Sequence, residues 1–137
     1  MTGSGRRYLQ CHDGKYVRAY CYDGSWIVYK SLNSGVDERW IIEEFDGAIV
    51  FKEARANNPG YLSANSRGFI YIRPRVGHNS KWTPVQWSNK RWSFQNEQYG
   101  QWLSALCPDR IGVIDYHDRD LESMCWSREQ FLLKPWQ

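Results

Sequence analysis

The hydrophobic positions of this chain occur in short runs, separated by turns that contain Gly, Asp and Asn. Three times an aromatic residue is followed by a second one five positions later: Trp40 and Phe45, Trp82 and Trp87, Phe131 and Trp136. Each pair closes a block of similar content, and the blocks repeat at a period near 40 residues. Self-similarity at this period is typical of a chain built from repeated structural units. The pattern therefore predicts three equivalent units.

Short alternating or β-branched segments inside each block predict four strands per unit, or about twelve in all. The opening strands are predicted at 7–11, 48–53 and 91–96. The next strands begin after a turn, at 14–19, 59–64 and 100–105, and they place Tyr16, Tyr61 and Trp102 at equivalent positions. A β-branched run follows in each unit, at 26–29, 69–72 and 111–114, and the first two are joined to the preceding strand by short links that suit tight hairpins. The aromatic pairs mark the closing strands.

A four-stranded unit cannot bury its own apolar face, and an open sheet would leave exposed edges. Six strands from three units can instead close into a short barrel, with the remaining hairpins capping one end. We expect Trp40, Trp82 and Phe131 to meet in its core. A five-residue step reverses the face of a regular strand. Either a distortion at Pro84 and Pro135 intervenes, or the second aromatics pack outside the barrel.

The unit Gly-Lys-Tyr-Val-Arg-Ala at 14–19, its β-branched following strand and its Trp-led closing strand resemble β-trefoil domains of the fascin and hisactophilin type. A weaker resemblance, through Tyr61-Leu62-Ser63-Ala64 and Asn79-Ser80-Lys81-Trp82, is to amaranthin-type plant lectin domains. The resemblance covers about residues 6–136 and implies an all-β, single β-trefoil domain over 1–137, with repeats at about 6–46, 47–89 and 90–137. The Gln-x-Trp signature of ricin-type trefoils and the His-rich loops of hisactophilins are absent.

Composition narrows the function classes. The chain has 137 residues and a net charge of +3, and it contains no run of 18 apolar residues, so we expect no membrane span. Residues 1–91 hold 14 Lys and Arg against 8 Asp and Glu, whereas residues 92–137 hold 4 against 7, which predicts a basic side. No basic run typical of nucleic-acid binding occurs. The N-terminus lacks a signal-peptide pattern, so a cytoplasmic location is expected, or a secreted one if a leader has been removed.

The four cysteines, at 11, 21, 107 and 125, include no Cys-x-x-Cys pair. Buried reduced thiols are the preferred interpretation, with disulfides as the alternative, and the scattered histidines predict no zinc site. The adjacent pairs His12-Asp13 and His117-Asp118 are the only dyad-like features. Neighbouring residues on a strand point to opposite faces, so no catalytic function and no cofactor are expected.

The third unit has about seven additional residues between Ile114 and Phe131. Leu121, Met124 and Cys125 have helical spacing, so this insertion is either a short packed helix or a ligand loop carrying Tyr116, His117 and Asp118. Sugar sites combine Asp, Asn or His groups with an aromatic ring. The corresponding candidates in the other units are Asp23 and Trp26, and His78 and Asn79.

Two binding functions remain open from the sequence. Glycan or glycoprotein recognition by the inter-strand loops is favoured. The alternative, which the fascin-type resemblance implies, is actin-filament binding or bundling by the basic side; its candidate residues are Arg6, Arg7, Lys15, Arg18, Lys30, Lys52, Arg55, Arg73 and Arg75. A homodimer is possible in either case.

Overall fold

Twelve strands form in the part of the chain that the structure describes, in the order the repeats predict. The computed structural model describes residues 3–22, 25–55, 60–106, 108–114 and 127–137, with the backbone alone at residues 21, 22, 25 and 26. The strands are β1 (Gly5–Gln10), β2 (Tyr16–Tyr22), β3 (Ser25–Ser31), β4 (Trp40–Phe45), β5 (Ala48–Glu53), β6 (Tyr61–Ala64), β7 (Ile70–Arg73), β8 (Trp82–Gln86), β9 (Trp92–Asn96), β10 (Trp102–Leu106), β11 (Arg110–Ile114) and β12 (Leu132–Pro135).

The first and fourth strands of the three units close into a six-stranded barrel. Antiparallel pairing runs from β1 to β4, β5, β8 and β9 in turn. A bridge between Trp92 and Phe131 joins β9 to the chain entering β12, and β12 pairs with β1. No barrel strand is therefore left with an open edge, which is the physical reason for combining three units.

The second and third strands of each unit form hairpins that cap one end of the barrel. Tyr16, Tyr61 and Trp102 begin the hairpins, and their partners on the preceding strands are Gln10, Lys52 and Gln95. The hairpins also contact one another, through Arg110 with Tyr29 and through Phe69 with Gly112. The same register in all three units confirms the predicted threefold relation, and the all-β architecture is a β-trefoil.

The closing aromatics meet in the core, as predicted. Trp40, Trp82 and Phe131 are all fully buried. The Trp40 Nε1 donates to the carbonyl oxygen of Val17 at 3.1 Å, and the Trp82 Nε1 donates to that of Leu62 at 3.0 Å. Each acceptor belongs to the hairpin of the same unit, so two of the units tie their cap to the barrel in the same way.

The second aromatic of each pair lies outside the barrel. Phe45 is exposed, whereas Trp87 and Trp136 are half-buried. The Trp136 Nε1 donates to the carbonyl oxygen of Trp40 at 3.0 Å, and β8 continues through Pro84, which pairs with Phe94. The odd residue spacing, rather than a break at proline, therefore directs these side chains outward.

A one-turn 3-10 helix precedes the core aromatic of each unit, at Val36–Glu38, His78–Ser80 and Ser127–Glu129. The third residue of each turn, Glu38, Ser80 or Glu129, is buried. Ser80 shares a 2.8 Å hydrogen bond with Ser63, and the Ser104 hydroxyl donates to Glu129. These bonds attach the turns to the hairpin strands and fix the loops in which the sequence predicted a site.

Candidate functional site

The residues proposed from sequence fall mainly outside the described chain. Tyr116, His117 and Asp118 lie outside the described residues, as does Asp23. The residues of the helix predicted as one alternative for this insertion, Leu121, Met124 and Cys125, also lie outside them. For Trp26 only the backbone is described; it lies in β3 opposite Cys21. Their assignment to a site stays a prediction.

His78 and Asn79, in the second-repeat turn, occupy contrasting positions. His78 is exposed, whereas Asn79 is buried. The Asn79 Nδ2 donates to the carbonyl oxygen of Ala64 at 2.7 Å and to the Tyr71 hydroxyl at 2.8 Å, and its Oδ1 accepts a 2.6 Å bond from Arg73. Both ends of the amide are engaged within the protein. A role of either residue in binding a ligand stays a prediction.

Gly77 makes the Arg73 bond possible. A Cβ at position 77 would overlap the Arg73 guanidinium group, so glycine allows that group to lie against the turn and reach Asn79. The Asn79 side chain in the second-repeat turn is therefore hydrogen-bonded within that repeat.

A denser group of charges surrounds the first-repeat turn, with two members, Glu53 and Arg55, supplied by the second repeat. We call it the first-repeat cluster: Arg18, Asp37, Glu38, Glu53 and Arg55. Both guanidinium groups converge on Asp37. The Arg18 Nη2 donates to Asp37 Oδ2 at 2.8 Å, and the Arg55 Nη2 donates to Asp37 Oδ1. Two basic residues 37 positions apart thus orient one carboxylate.

The buried carboxylates of the cluster hold these arginines from beneath. Glu38 Oε2 lies 3.6 Å from the Arg18 Nε, and Glu53 Oε1 lies 3.1 Å from the Arg55 Nε. The side chains of Glu38 and Glu53 are 2% and 0% exposed, against 21% to 29% for Arg18, Asp37 and Arg55. Burial raises the pKa of Glu53, and the nearby Arg55 opposes that rise. The side chains of Asp37, Arg18 and Arg55 are therefore partly accessible to solvent, above the buried carboxylates of Glu38 and Glu53.

Tyrosine rings lie beside this charged group. The Arg18 guanidinium carbon is 5.0 Å from the Tyr20 ring centroid and 5.4 Å from that of Tyr29. Tyr29 faces Arg18 across the β2–β3 hairpin, and Ile27, which is 49% exposed, faces Tyr20. The surface combines half-buried rings with hydrogen-bonding groups of both signs.

The two described turns are variants of one arrangement. Asp37 and Asn79 each lie three residues before the core tryptophan of their unit, and Tyr29 and Tyr71 occupy equivalent places on their hairpins. The Ala64 carbonyl oxygen accepts from Asn79, whereas the equivalent Ala19 oxygen accepts from Arg55 at 2.9 Å. Arg55 thus bonds the Ala19 oxygen as the Asn79 amide bonds the Ala64 oxygen, and the Asp37 carboxylate stays partly exposed, at 27%, while it accepts from both arginines.

The described histidine–aspartate pair does not form a catalytic dyad. Asp13 accepts a 2.9 Å hydrogen bond from Lys30, whereas the buried His12 Nδ1 has no hydrogen-bond partner in the described part of the chain. Burial lowers the pKa of His12. For Asp13, burial raises the pKa, but the hydrogen bonds from Lys30 and from the Lys15 backbone lower it by more. The pKa of Asp13 is therefore lowered. Asp13 acts here as the counter-ion of Lys30.

Within the described ranges, no group of three or more His, Cys, Asp or Glu side chains could hold a metal ion. Cys11 is a free, buried thiol, and burial raises its pKa to about 12. Such a thiol is protonated at neutral pH and behaves as a small hydrophobic side chain. The helices described here include none long and apolar enough to cross a membrane.

Much of the predicted basic side is paired with carboxylates. Besides Arg18 and Arg55, Lys30 binds Asp13 and is almost fully buried, and Lys15 lies 3.1 Å from Asp109. Paired and buried cations contribute less to a positive field than the sequence charge suggests.

Comparison with known proteins shows the fold alone. No protein-family model matches the chain, and no curated protein sequence matches it. A solved structure described as a mosquitocidal holotoxin aligns with 98% of this chain, and the aligned part is 17% of that protein's length. The sequence identity is 16% and the TM-score is 0.79. The lysenin pore matches 98% of this chain and 47% of its own, at 11% identity and a TM-score of 0.73.

The Polyporus squamosus lectin, solved with a human-type influenza-binding epitope, Neu5Aca2-6Galb1-4GlcNAc, matches 97% of this chain and 49% of its own. Its identity is 17% and its TM-score 0.75. The chain therefore spans about half, or less, of each of these proteins.

Proposed function

We propose that this β-trefoil is a non-enzymatic carbohydrate-binding module and that the first-repeat cluster is one of its glycan sites. The observation that carries the proposal is the Asp37 carboxylate, held by two guanidinium groups beside Tyr20 and Tyr29. A sugar presents hydroxyl groups at fixed angles and C–H patches on its ring faces. Preoriented charged groups next to aromatic rings match both features.

Preorientation is what separates this cluster from an ordinary surface ion pair. An exposed pair contributes little to stability and loses side-chain entropy when it forms. Here both arginines are already bonded to Asp37 and lie at ion-pair distance from the buried Glu38 and Glu53, which reduces the entropy lost when a ligand binds. The similarity in fold to a lectin solved with a bound glycan epitope supports the proposal.

A glycan array tests the function directly. We expect binding that a soluble competing sugar removes and that tolerates moderate salt. Asp37→Asn keeps the size of the side chain but removes its charge, and should weaken binding about tenfold or more, the loss expected for hydrogen bonds to a charged group. Asp46→Asn is the matched control, because Asp46 is an exposed turn residue paired only loosely with Lys81, at 3.4 Å.

The third-repeat loop is tested in the same assay. Tyr116→Ala and Asp118→Ala should weaken binding if that loop also holds a glycan. No glycan signal in the wild-type protein, together with co-sedimentation with actin filaments that weakens steeply as salt rises, would replace this proposal with the actin-binding alternative.

A further inference from the structure

A cavity of about 310 Å³ lies at the end of the barrel remote from the hairpin cap. Its lining includes Arg7, Gln86, Lys90, Trp92, Leu133 and Pro135. Strand alternation explains why these side chains meet. Arg7 lies two residues before the buried Leu9, and Trp92 lies two before the buried Phe94, so each shares the interior face of its strand.

The other two strands supply the opposite wall by the same rule. Gln86 is four residues beyond Trp82 on β8, and Leu133 is two beyond Phe131 on β12. Trp40 and Trp82 bond to the hairpins, so these positions lie at the far end. The cavity is the open mouth of the barrel, separate from the first-repeat cluster.

The polar groups at this mouth are mainly hydrogen-bond donors. Neither Arg7 nor Lys90 forms an ion pair with a carboxylate among the described residues. The Arg7 Nη1 donates a hydrogen bond to the carbonyl oxygen of Arg6 at 2.8 Å. Among the described residues, no acidic side chain lines the cavity. Two cations without a described carboxylate partner, placed together at a partly enclosed mouth, attract an anion.

Trp92 adds an unused donor and an apolar wall. Trp92 is 8% exposed overall, but its indole nitrogen is not among the buried unpartnered polar atoms of the described residues, so this N–H reaches solvent. The indole N–H groups of Trp40, Trp82, Trp87 and Trp136 all donate to protein acceptors. Trp92 therefore offers a donor beside the two cations.

We propose that the barrel mouth binds a small organic carboxylate, with its anionic group on Arg7 and Lys90 and its body against Trp92, Leu133 and Pro135. The volume limits the ligand to roughly ten non-hydrogen atoms, since one water occupies about 30 Å³ in the liquid. The proposal is independent of the glycan site.

Phenylacetate and its neutral isostere phenylacetamide form a matched pair of probes of this size. In a titration of ¹⁵N-labelled full chain, phenylacetate should shift the Lys90 amide and the Trp92 indole signals, with a Kd on the order of 1 mM. Phenylacetamide should bind roughly tenfold more weakly, because it cannot form hydrogen bonds to a charged acceptor.

Variants locate the binding. Arg7→Gln and Lys90→Gln should each weaken phenylacetate roughly tenfold. Arg73→Gln, a cation on another face, and Asp37→Asn should leave its affinity unchanged. Glucuronate is larger than this volume and would extend out of the open mouth. If it causes the same shifts more strongly, the result also supports a carboxylate site and indicates that the ligand is a sugar acid.

The proposal is overturned if the two isosteres bind equally, if Arg73→Gln weakens binding as much as Lys90→Gln, or if none of the acids shifts these signals. Because Asp37→Asn is included, failure here is distinguishable from failure of the glycan proposal.

Discussion

Replacing Trp82 by phenylalanine tests how the repeats are held together. Phe131 already occupies the equivalent position in the third unit, so the smaller ring fits the architecture. The substitution removes the 3.0 Å bond from the indole N–H to the Leu62 carbonyl oxygen and leaves a void beside Phe51, whose ring centroid is 6.1 Å away.

The magnitude follows from these two losses. Leaving a buried carbonyl without its donor costs about 1–2 kcal/mol. Removing part of a fully buried ring costs about another 1–2 kcal/mol, because the surroundings relax only partly. We therefore expect Trp82→Phe to lower the free energy of unfolding by about 3 kcal/mol, or the melting temperature by roughly 10 °C. Trp40→Phe should have a similar effect.

Urea unfolding followed by far-ultraviolet circular dichroism measures this without relying on tryptophan emission. Trp102→Phe is the matched control, because the same change at a half-buried position should cost less than about 1 kcal/mol. A loss below about 1 kcal/mol for Trp82→Phe, or one equal to that of Trp102→Phe, would refute the role of the indole in joining barrel and cap within the second unit.

Two further predictions concern burial. Asp13→Asn removes the carboxylate facing Lys30, whose side chain is 1% exposed, and should cost about 2 kcal/mol at pH 7, discounted for the partial exposure of Asp13. Because the folded pKa of Asp13 is lowered, the stabilisation is present above its unfolded pKa and disappears as pH falls through the lower folded value. Wild type and variant should therefore converge at pH values below the ordinary aspartate pKa of 3.8 in denaturant titrations; a constant difference would contradict the pairing. Gly60→Ala should cost about 1–3 kcal/mol by thermal melting, since a Cβ there would overlap the buried Ile72, and an unchanged melting temperature would show that this site can relax.

The fold could be predicted because it depends on short-range pattern. The positions of Trp40, Trp82 and Phe131 follow from spacing, and burial of one face per strand is enough to set them. The five-residue offset also predicted, as one of two alternatives, that Phe45 would pack outside the barrel. This alternative is confirmed.

The first-repeat cluster was less accessible to sequence reasoning. Arg18 and Arg55 lie in different units, and nothing in strand periodicity indicates that both reach Asp37. One signal was present: Asp37 and Asn79 stand at the same distance before Trp40 and Trp82. That equivalence marks the turn but does not reveal that Asn79 is buried, whereas Asp37 is partly exposed and bonded to two arginines.

The most direct test of the glycan-binding account is a residue-resolved titration of the ¹⁵N-labelled chain with the strongest array ligand. The account predicts saturable shifts at Asp37 and Tyr29 and in the Arg18 and Arg55 side-chain signals, lost in Asp37→Asn and retained in Asp46→Asn. Saturable binding that leaves these four residues unperturbed would contradict the assignment of the first-repeat cluster as a glycan site.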